Sequence, residues 1–323
     1  MNRKLWMAVS LSALIVAGCG AENESEPTSV ENEGGTGNET EEAAPDSLKS
    51  DDFVVDFSGT LEHVHGMGYV EGDGLYFASH EGLKIYRDGK WFETDGMHND
   101  YMGFNAVDRG FYTSGHPGHG SGMMNPIGIQ RSMDGGRSLE HMGFQGETDF
   151  HAMAVGYRSH HMFVMNPQPN SGMEAGFHRS ENEGKDWTQT AAEGLDGELS
   201  FLAMHPDDSQ IIAAATSTGV YLSKDGGESF KALTSEGEFG TALSFSEDAL
   251  YYASYETASE LVEYNLESGE KETLPLPELP EDGVLYIAQK PDELAIYTVK
   301  GQAFISGDKG AEWTQIMEDG QVK

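Results

Sequence analysis

Four short stretches repeat one pattern along the chain: Ser132-Met133-Asp134-Gly135-Gly136-Arg137-Ser138-Leu139, Ser180-Glu181-Asn182-Glu183-Gly184-Lys185-Asp186-Trp187, Ser223-Lys224-Asp225-Gly226-Gly227-Glu228-Ser229-Phe230 and Ser306-Gly307-Asp308-Lys309-Gly310-Ala311-Glu312-Trp313. Each reads S-x-[DN]-x-G-x-x-[aromatic or Leu]. The pattern predicts a hairpin turn, with the Asp or Asn side chain tied back to turn amides, the Gly in the left-handed conformation and the last residue packed on the sheet. The starting serines are 48, 43 and 83 residues apart, and the last interval is about twice the others. A degenerate copy fills that gap at Tyr264-Asn265-Leu266-Glu267-Ser268-Gly269, and a shortened one precedes the series at Tyr86-Arg87-Asp88-Gly89-Lys90-Trp91. Six units of about 40–50 residues then fill residues 53–323, rich in short apolar strands and almost without helix signals. Such units bury their faces by stacking radially, so the predicted fold is an all-β, six-bladed β-propeller. Phe53 to Phe57 is a spare strand that either pairs with blade six or lies outside it.

Ahead of the repeats, Asn2, Arg3 and Lys4 form a short positive head and Leu5 to Val16 an apolar run, and Val16-Ala17-Gly18-Cys19 matches the bacterial lipobox. The expectation is a lipoprotein signal peptide over residues 1–18, cut before Cys19, whose thiol then carries lipid. The run is too short to span ~30 Å comfortably as a transmembrane helix. Residues 19–52, crowded with Glu, Ser, Asn and Gly, are expected to form a lipid-anchored, acidic, disordered linker. The protein is therefore expected outside the cytoplasm, anchored to the bacterial cell membrane through lipid at Cys19. Because Cys19 is the only cysteine, a metal site in the folded part must be built from His, Met and carboxylate. Fifty-five acidic against 19 basic residues give a net charge of −36, which disfavours a nucleic-acid partner and fits a solubilising surface.

The repeated turns resemble Asp-box (BNR) repeats, which recur in sialidases, sortilin-type receptors and photosystem assembly factors. More closely, His63-Val64-His65-Gly66, Ser114-Gly115-His116-Pro117, an Asp box and Asp149-Phe150-His151-Ala152-Met153-Ala154-Val155 together resemble a group of bacterial BNR-repeat lipoproteins called glycosyl hydrolases by fold. The resemblance implies a propeller with Asp-box hairpins and leaves the activity open.

In such a propeller the innermost strand of each blade begins on the face that carries the loops between second and third strands. The Asp boxes lie on the opposite face and are structural. Aligning the inner strands makes His65, Met102, His151, Ser200, Thr241 and Leu285 equivalent in blades one to six. His63, Asp100 and Asp149 lie one step nearer the mouth, and strand alternation puts His63, His65 and Met67 on one face. The second-to-third loops repeat the bias, with Ser79-His80-Glu81 in blade one, Gly115 to Asn125 with His116, His119, Met123 and Met124 in blade two, and Met165 to Met173 in blade three. All 12 histidines and 12 of the 15 methionines fall between residues 63 and 205, so these groups concentrate in less than half of the chain. Met142 and Met204 read as packing residues. His141, His160, His161, His178 and His205 read as surface or blade-edge residues.

Two chemistries fit this mouth. Imidazole and thioether without thiolate suit copper, especially Cu(I), with His63, His65, Met102, His116 and His151 as principal ligands. His80, Met67, His119, Met123, Met124 and Met153 are secondary ones, and Asp100 and Asp149 orient the imidazoles. The alternative is a glycosyl hydrolase-like enzyme with Asp100, Asp149 and Glu81 as acid/base groups. A sialidase is disfavoured. Sialic-acid cleavage in that family relies on an arginine cluster, whereas Arg87, Arg131, Arg137 and Arg179 sit beside Asp-box turns and Arg109 and Arg158 fall on the opposite face. A scaffold for a protein partner is a third possibility that needs no chemistry.

Overall fold

The computed structural model describes residues 53–323. The signal peptide, Cys19 and the linker over 19–52 lie outside the described residues. Blade one holds strands β1 (Val54–Asp56), β2 (Val64–Val70), β3 (Gly74–Ser79), β4 (Gly82–Arg87) and β5 (Lys90–Thr94). Blade two holds β6 (Asp100–Val107), β7 (Gly110–His116), β8 (Ile129–Ser132) and β9 (Glu140–Gly143), and blade three β10 (Met153–Val155), β11 (Met162–Asn166), β12 (Gly176–Ser180) and β13 (Thr188–Thr190). Blade four comprises β14 (Leu199–Met204), β15 (Ile212–Thr216), β16 (Gly219–Ser223) and β17 (Lys231–Ala232). Blade five comprises β18 (Phe239–Phe245), β19 (Ala249–Tyr255), β20 (Ser259–Asn265) and β21 (Lys271–Leu274). Blade six ends the chain with β22 (Val284–Lys290), β23 (Glu293–Thr298), β24 (Ala303–Ser306), β25 (Thr314–Glu318) and β26 (Gln321–Val322). All six sheets are antiparallel and ordered from inner to outer strand, so the predicted six-bladed propeller is the observed fold.

Six hydrophobic clusters hold the ring, each between neighbouring blades. Ala213 and Leu222 of blade four meet Leu243 and Tyr252 of blade five, for example. The residue closing each good Asp box enters such a cluster at the start of the outer strand. Phe230 is buried among blade-three and blade-four residues, Trp187 and Trp313 pack on their clusters, and Trp91 takes the corresponding place in blade one.

The turns follow their side chains. In the third repeat Ser223 donates to Asp225 Oδ1 (2.7 Å), Asp225 Oδ1 accepts from the Ser229 amide (2.9 Å), and Ser223 Oγ accepts from the Gly227 amide (2.9 Å). The turn needs two left-handed residues in succession, not the one expected. Gly226 and Gly227 supply them here, whereas Glu183 and Lys309 take the first place in two other copies at φ 59° and 56°. Asp225→Ala is expected to cost on the order of 1 kcal/mol in urea unfolding, because Ser223 and Ser229 lose their shared acceptor. Burial raises the pKa of Asp225, but hydrogen bonds from Ser229 and Ser223 outweigh it and hold the carboxyl below its usual value. A carboxylate depressed on folding stabilises above its unfolded pKa and loses that contribution as pH falls through the folded one. The gap between wild type and variant should therefore close in acid, below about pH 4. An unchanged unfolding midpoint at neutral pH would contradict this role.

The spare strand lies outside blade six, and the segment that follows it closes the ring. β1 pairs with β5 on the outer edge of blade one, and the next segment crosses to blade six. There the Leu61 amide donates to Gly320 O (2.8 Å), the Val322 amide to Gly59 O (3.3 Å), and Thr60 bridges Gln321. Trp91 adds an indole hydrogen bond to Ile316 O (3.2 Å).

Three of the histidines expected at surfaces or edges are instead buried: His160, His178 and His205. His160 Nε2 meets Asp108 Oδ1 of blade two (2.8 Å), and His205 Nε2 meets Glu247 O of blade five (2.8 Å). His178 Nδ1 meets Gly176 O (3.2 Å). These are inter-blade or turn ties, satisfied as buried polar groups must be. Met204 is buried and Met142 half-buried in packing clusters, as expected.

Candidate metal centre at the mouth of blades one to three

Two glycines set the distance between the first inner strands. A Cβ on Gly66 would lie 2.7 Å from Phe104 Cβ, and one on Gly68 2.6 Å from Ala106 Cβ, so β2 and β6 approach too closely for any side chain. Gly103 does the same toward blade three, with φ 52° and a Cβ position 2.1 Å from Phe150 O, immediately before His151. Close backbone approach thus brings the mouth ends of three blades together.

A β-bulge then aims His65. Val64 pairs with Ser79 and Gly66 with Ala78, leaving His65 as the extra residue. Ser200, Thr241 and Leu285 occupy the same bulge in blades four, five and six, so the alignment of inner strands holds there. The bulge also shifts the phase of alternation, because two residues on one strand face one on the other. Met67 accordingly turns away from His65 into the cluster between blades six and one, with 8 % exposure. Met153 is likewise buried, between blades two and three. Two of the four thioethers expected as secondary ligands, Met67 and Met153, are core packing.

His65, His80 and Asp100 gather at one point. His65 Nε2 lies 3.3 Å from His80 Nε2 and 3.6 Å from Asp100 Oδ1, and His80 Nδ1 is 2.9 Å from Asp100 Oδ2. His80 sits on the two-residue loop between β3 and β4, fixed by Ser79 Oγ, which donates to Gly82 O and accepts from the Glu81 amide. His63, in the left-handed conformation at φ 52°, places its ring 5.1 Å from that of His80 and belongs to the rim of this group. Burial holds His65 neutral down to about pH 4, opposed by Asp100 and reinforced by His80, His151 and His63.

His116, Asp149 and His151 form a second group. Asp149 Oδ2 lies 2.5 Å from His151 Nε2 and 3.3 Å from His116 Nε2, and His116 Nδ1 lies 2.7 Å from Asn125 Oδ1. An amide oxygen only accepts, so His116 Nδ1 is the donor in that contact and Nε2 faces the carboxylate. A ligating imidazole is held in this way, with its other nitrogen donating to an outer acceptor. The hydrogen bond to Asp149 raises the pKa of His151 against the effect of burial, with further help from the charges of Asp149 and Asp100. In each group one carboxylate oxygen, Asp100 Oδ1 and Asp149 Oδ1, is buried without a hydrogen-bond partner.

The expected rings of equivalent positions are therefore regrouped into two sets that each span adjacent blades. His80, secondary in the sequence, is central. Asn125 was missed, since nothing local in the Met-rich loop ties it to His116. Met102 stays half-buried on the same strand and in phase with Asp100, because the β6 bulge comes after it. His119 and Met124 are exposed and Met123 half-buried on the blade-two loop, while Glu81 is exposed at a loop tip and enters neither group. A cavity of about 1400 Å³ opens on the opposite face, lined by Tyr69, Asn105, Phe201, Phe245 and Lys290 among others. None of its lining residues is a histidine, and neither His/Asp group borders it.

No protein-family model matches the chain. No curated protein matches it either. Among solved structures it is similar to the GH74 enzyme of Niastella koreensis (TM-score 0.52, 16 % identity, 83 % of this chain and 47 % of that one). It is also similar to the GH74 xyloglucanase of Xanthomonas campestris (TM-score 0.50, 16 % identity, 81 % and 46 %). The extracellular domain of the B. thetaiotaomicron two component system protein BT4673 gives a TM-score of 0.53 at 13 % identity (84 % and 36 %). The chain spans less than half the length of each of these chains, and at such identities the likeness is one of fold.

Proposed function

We propose that this protein is a membrane-tethered, extracytoplasmic propeller, anchored through Cys19, whose blade one-to-three mouth binds a transition-metal ion, copper first. The observation that carries the proposal is the convergence of two imidazoles and one carboxylate, twice over, with the donor atoms of each set within 4.8 Å of one another. Imidazole and carboxylate suit divalent ions of the later first row, for which the affinity of a given site peaks at Cu(II), ahead of Zn(II). With Met67 and Met153 packed in the core, support shifts from Cu(I) toward Cu(II). His65, neutral at physiological pH, offers a lone pair at little proton cost. The bare oxygens of Asp100 and Asp149 supply the negative charge and the acceptors that a cation would satisfy.

Elemental analysis of protein purified without a histidine tag, followed by titration of the stripped protein with Cu(II) and Zn(II), tests this directly. Retained metal or binding at micromolar or better affinity is expected. Absence of binding to either ion, and to Cu(I) under reducing conditions, would overturn the proposal. If such metal-free protein cleaved a glycoside and lost that activity in Asp149→Asn, the hydrolase alternative would take its place.

A further inference from the structure

Building on that metal site, we infer that the mouth holds two ions side by side. The two donor sets are separate, yet they share one hairpin. Asp100 of the first set and His116 of the second are direct cross-strand partners in the β6–β7 register. Partners in an antiparallel pair have Cα atoms about 4.5–5.5 Å apart, so the two sets are neighbours by construction.

One ion cannot use all six donors. Ligand bonds of roughly 2 Å draw the donors of one ion to within about 4 Å of one another, and the six donors do not all fall within the 4.8 Å that each set of three meets. The donors instead gather as two groups of three, each compact on its own and each with one carboxylate to offset the charge of its own ion. Three protein ligands leave a coordination position open, as in catalytic rather than structural metal sites. Two such positions face the same mouth. Each set also keeps its own support: Ser79 fixes the His80 loop, and Asn125 fixes His116. Charge repulsion across so short a span should make the second ion bind more weakly than the first.

Isothermal titration of the stripped, full folded chain with Cu(II) should show two equivalents, the second weaker. His80→Ala and His151→Ala should each leave one equivalent, and circular dichroism should show both folded. His65→Gln provides a second lesion in the first set should His80→Ala fail to fold, and should likewise leave one. Electron paramagnetic resonance of the doubly loaded wild type should show dipolar coupling between the two Cu(II) ions that is lost in every single variant. A wild-type stoichiometry of one, abolished by either variant, would mean a single shared site and overturn the inference while sparing the metal proposal. Two equivalents without dipolar coupling would overturn the adjacency. No binding at all would remove both proposals together.

Discussion

The paired substitution His65→Ala and His151→Ala should lower Cu(II) affinity more than about a hundred-fold while leaving the propeller folded. It removes one imidazole from each donor set, so neither set keeps more than two ligands. Loss of an outer partner alone typically costs ~10–100-fold in metal affinity, and loss of a direct ligand should exceed that. Little stability should go with it. The side chains are 21 % and 49 % exposed, and neither belongs to an inter-blade cluster, so the loss should stay on the order of 1–2 kcal/mol, chiefly from the His151 hydrogen bond to Asp149. Isothermal titration and urea unfolding on the same preparations check both halves. A variant that keeps wild-type affinity would show that the imidazoles are structural.

Trp91→Ala carries the largest expected loss of stability, about 3–5 kcal/mol, as for other large aromatic truncations in packed cores. Trp91 is 4 % exposed, packs on Phe77 and Tyr86 at centroid distances of 5.0 and 5.2 Å, and donates to Ile316 O. The cavity would open where blade six meets blade one, and the Ile316 carbonyl would lose its indole donor there. Every other blade interface is joined by continuous chain, whereas this one rests on its hydrophobic cluster, which includes Trp91, together with the 59–61 strap and the C-terminal hairpin. A loss below about 1 kcal/mol would mean that the strap closes the ring without the indole, at the scale of an ordinary point substitution.

The architecture was legible in the sequence because each Asp box is a local device. Ser223, Asp225, Gly227 and Ser229 bond within one turn, so their order on the chain already encodes the hairpin and their spacing counts the blades. The mouth was legible in part for a related reason: bulges recur at the same point of the inner strand, and aligning blades by their motifs puts His65, Ser200, Thr241 and Leu285 in register. What failed was phase. Strict alternation carries Met67 to the face of His65, and the bulge reverses it. Long-range pairing was equally hidden. Asp108 is 52 residues from His160, and Glu247 is 42 from His205, so nothing near those histidines announced that they tie blades together. The closure of the ring was undecidable for the same reason, since its bonds join residues 59–61 to residues 320–322.

Crystals grown with copper, measured at the copper absorption edge, place the ion without regard to any activity. Anomalous density within roughly 2.0–2.2 Å of imidazole nitrogens of His65 and His80, and of His116 and His151, is the expected result. Density confined to exposed side chains such as His119, or none at the mouth of blades one to three, would contradict a metal centre there.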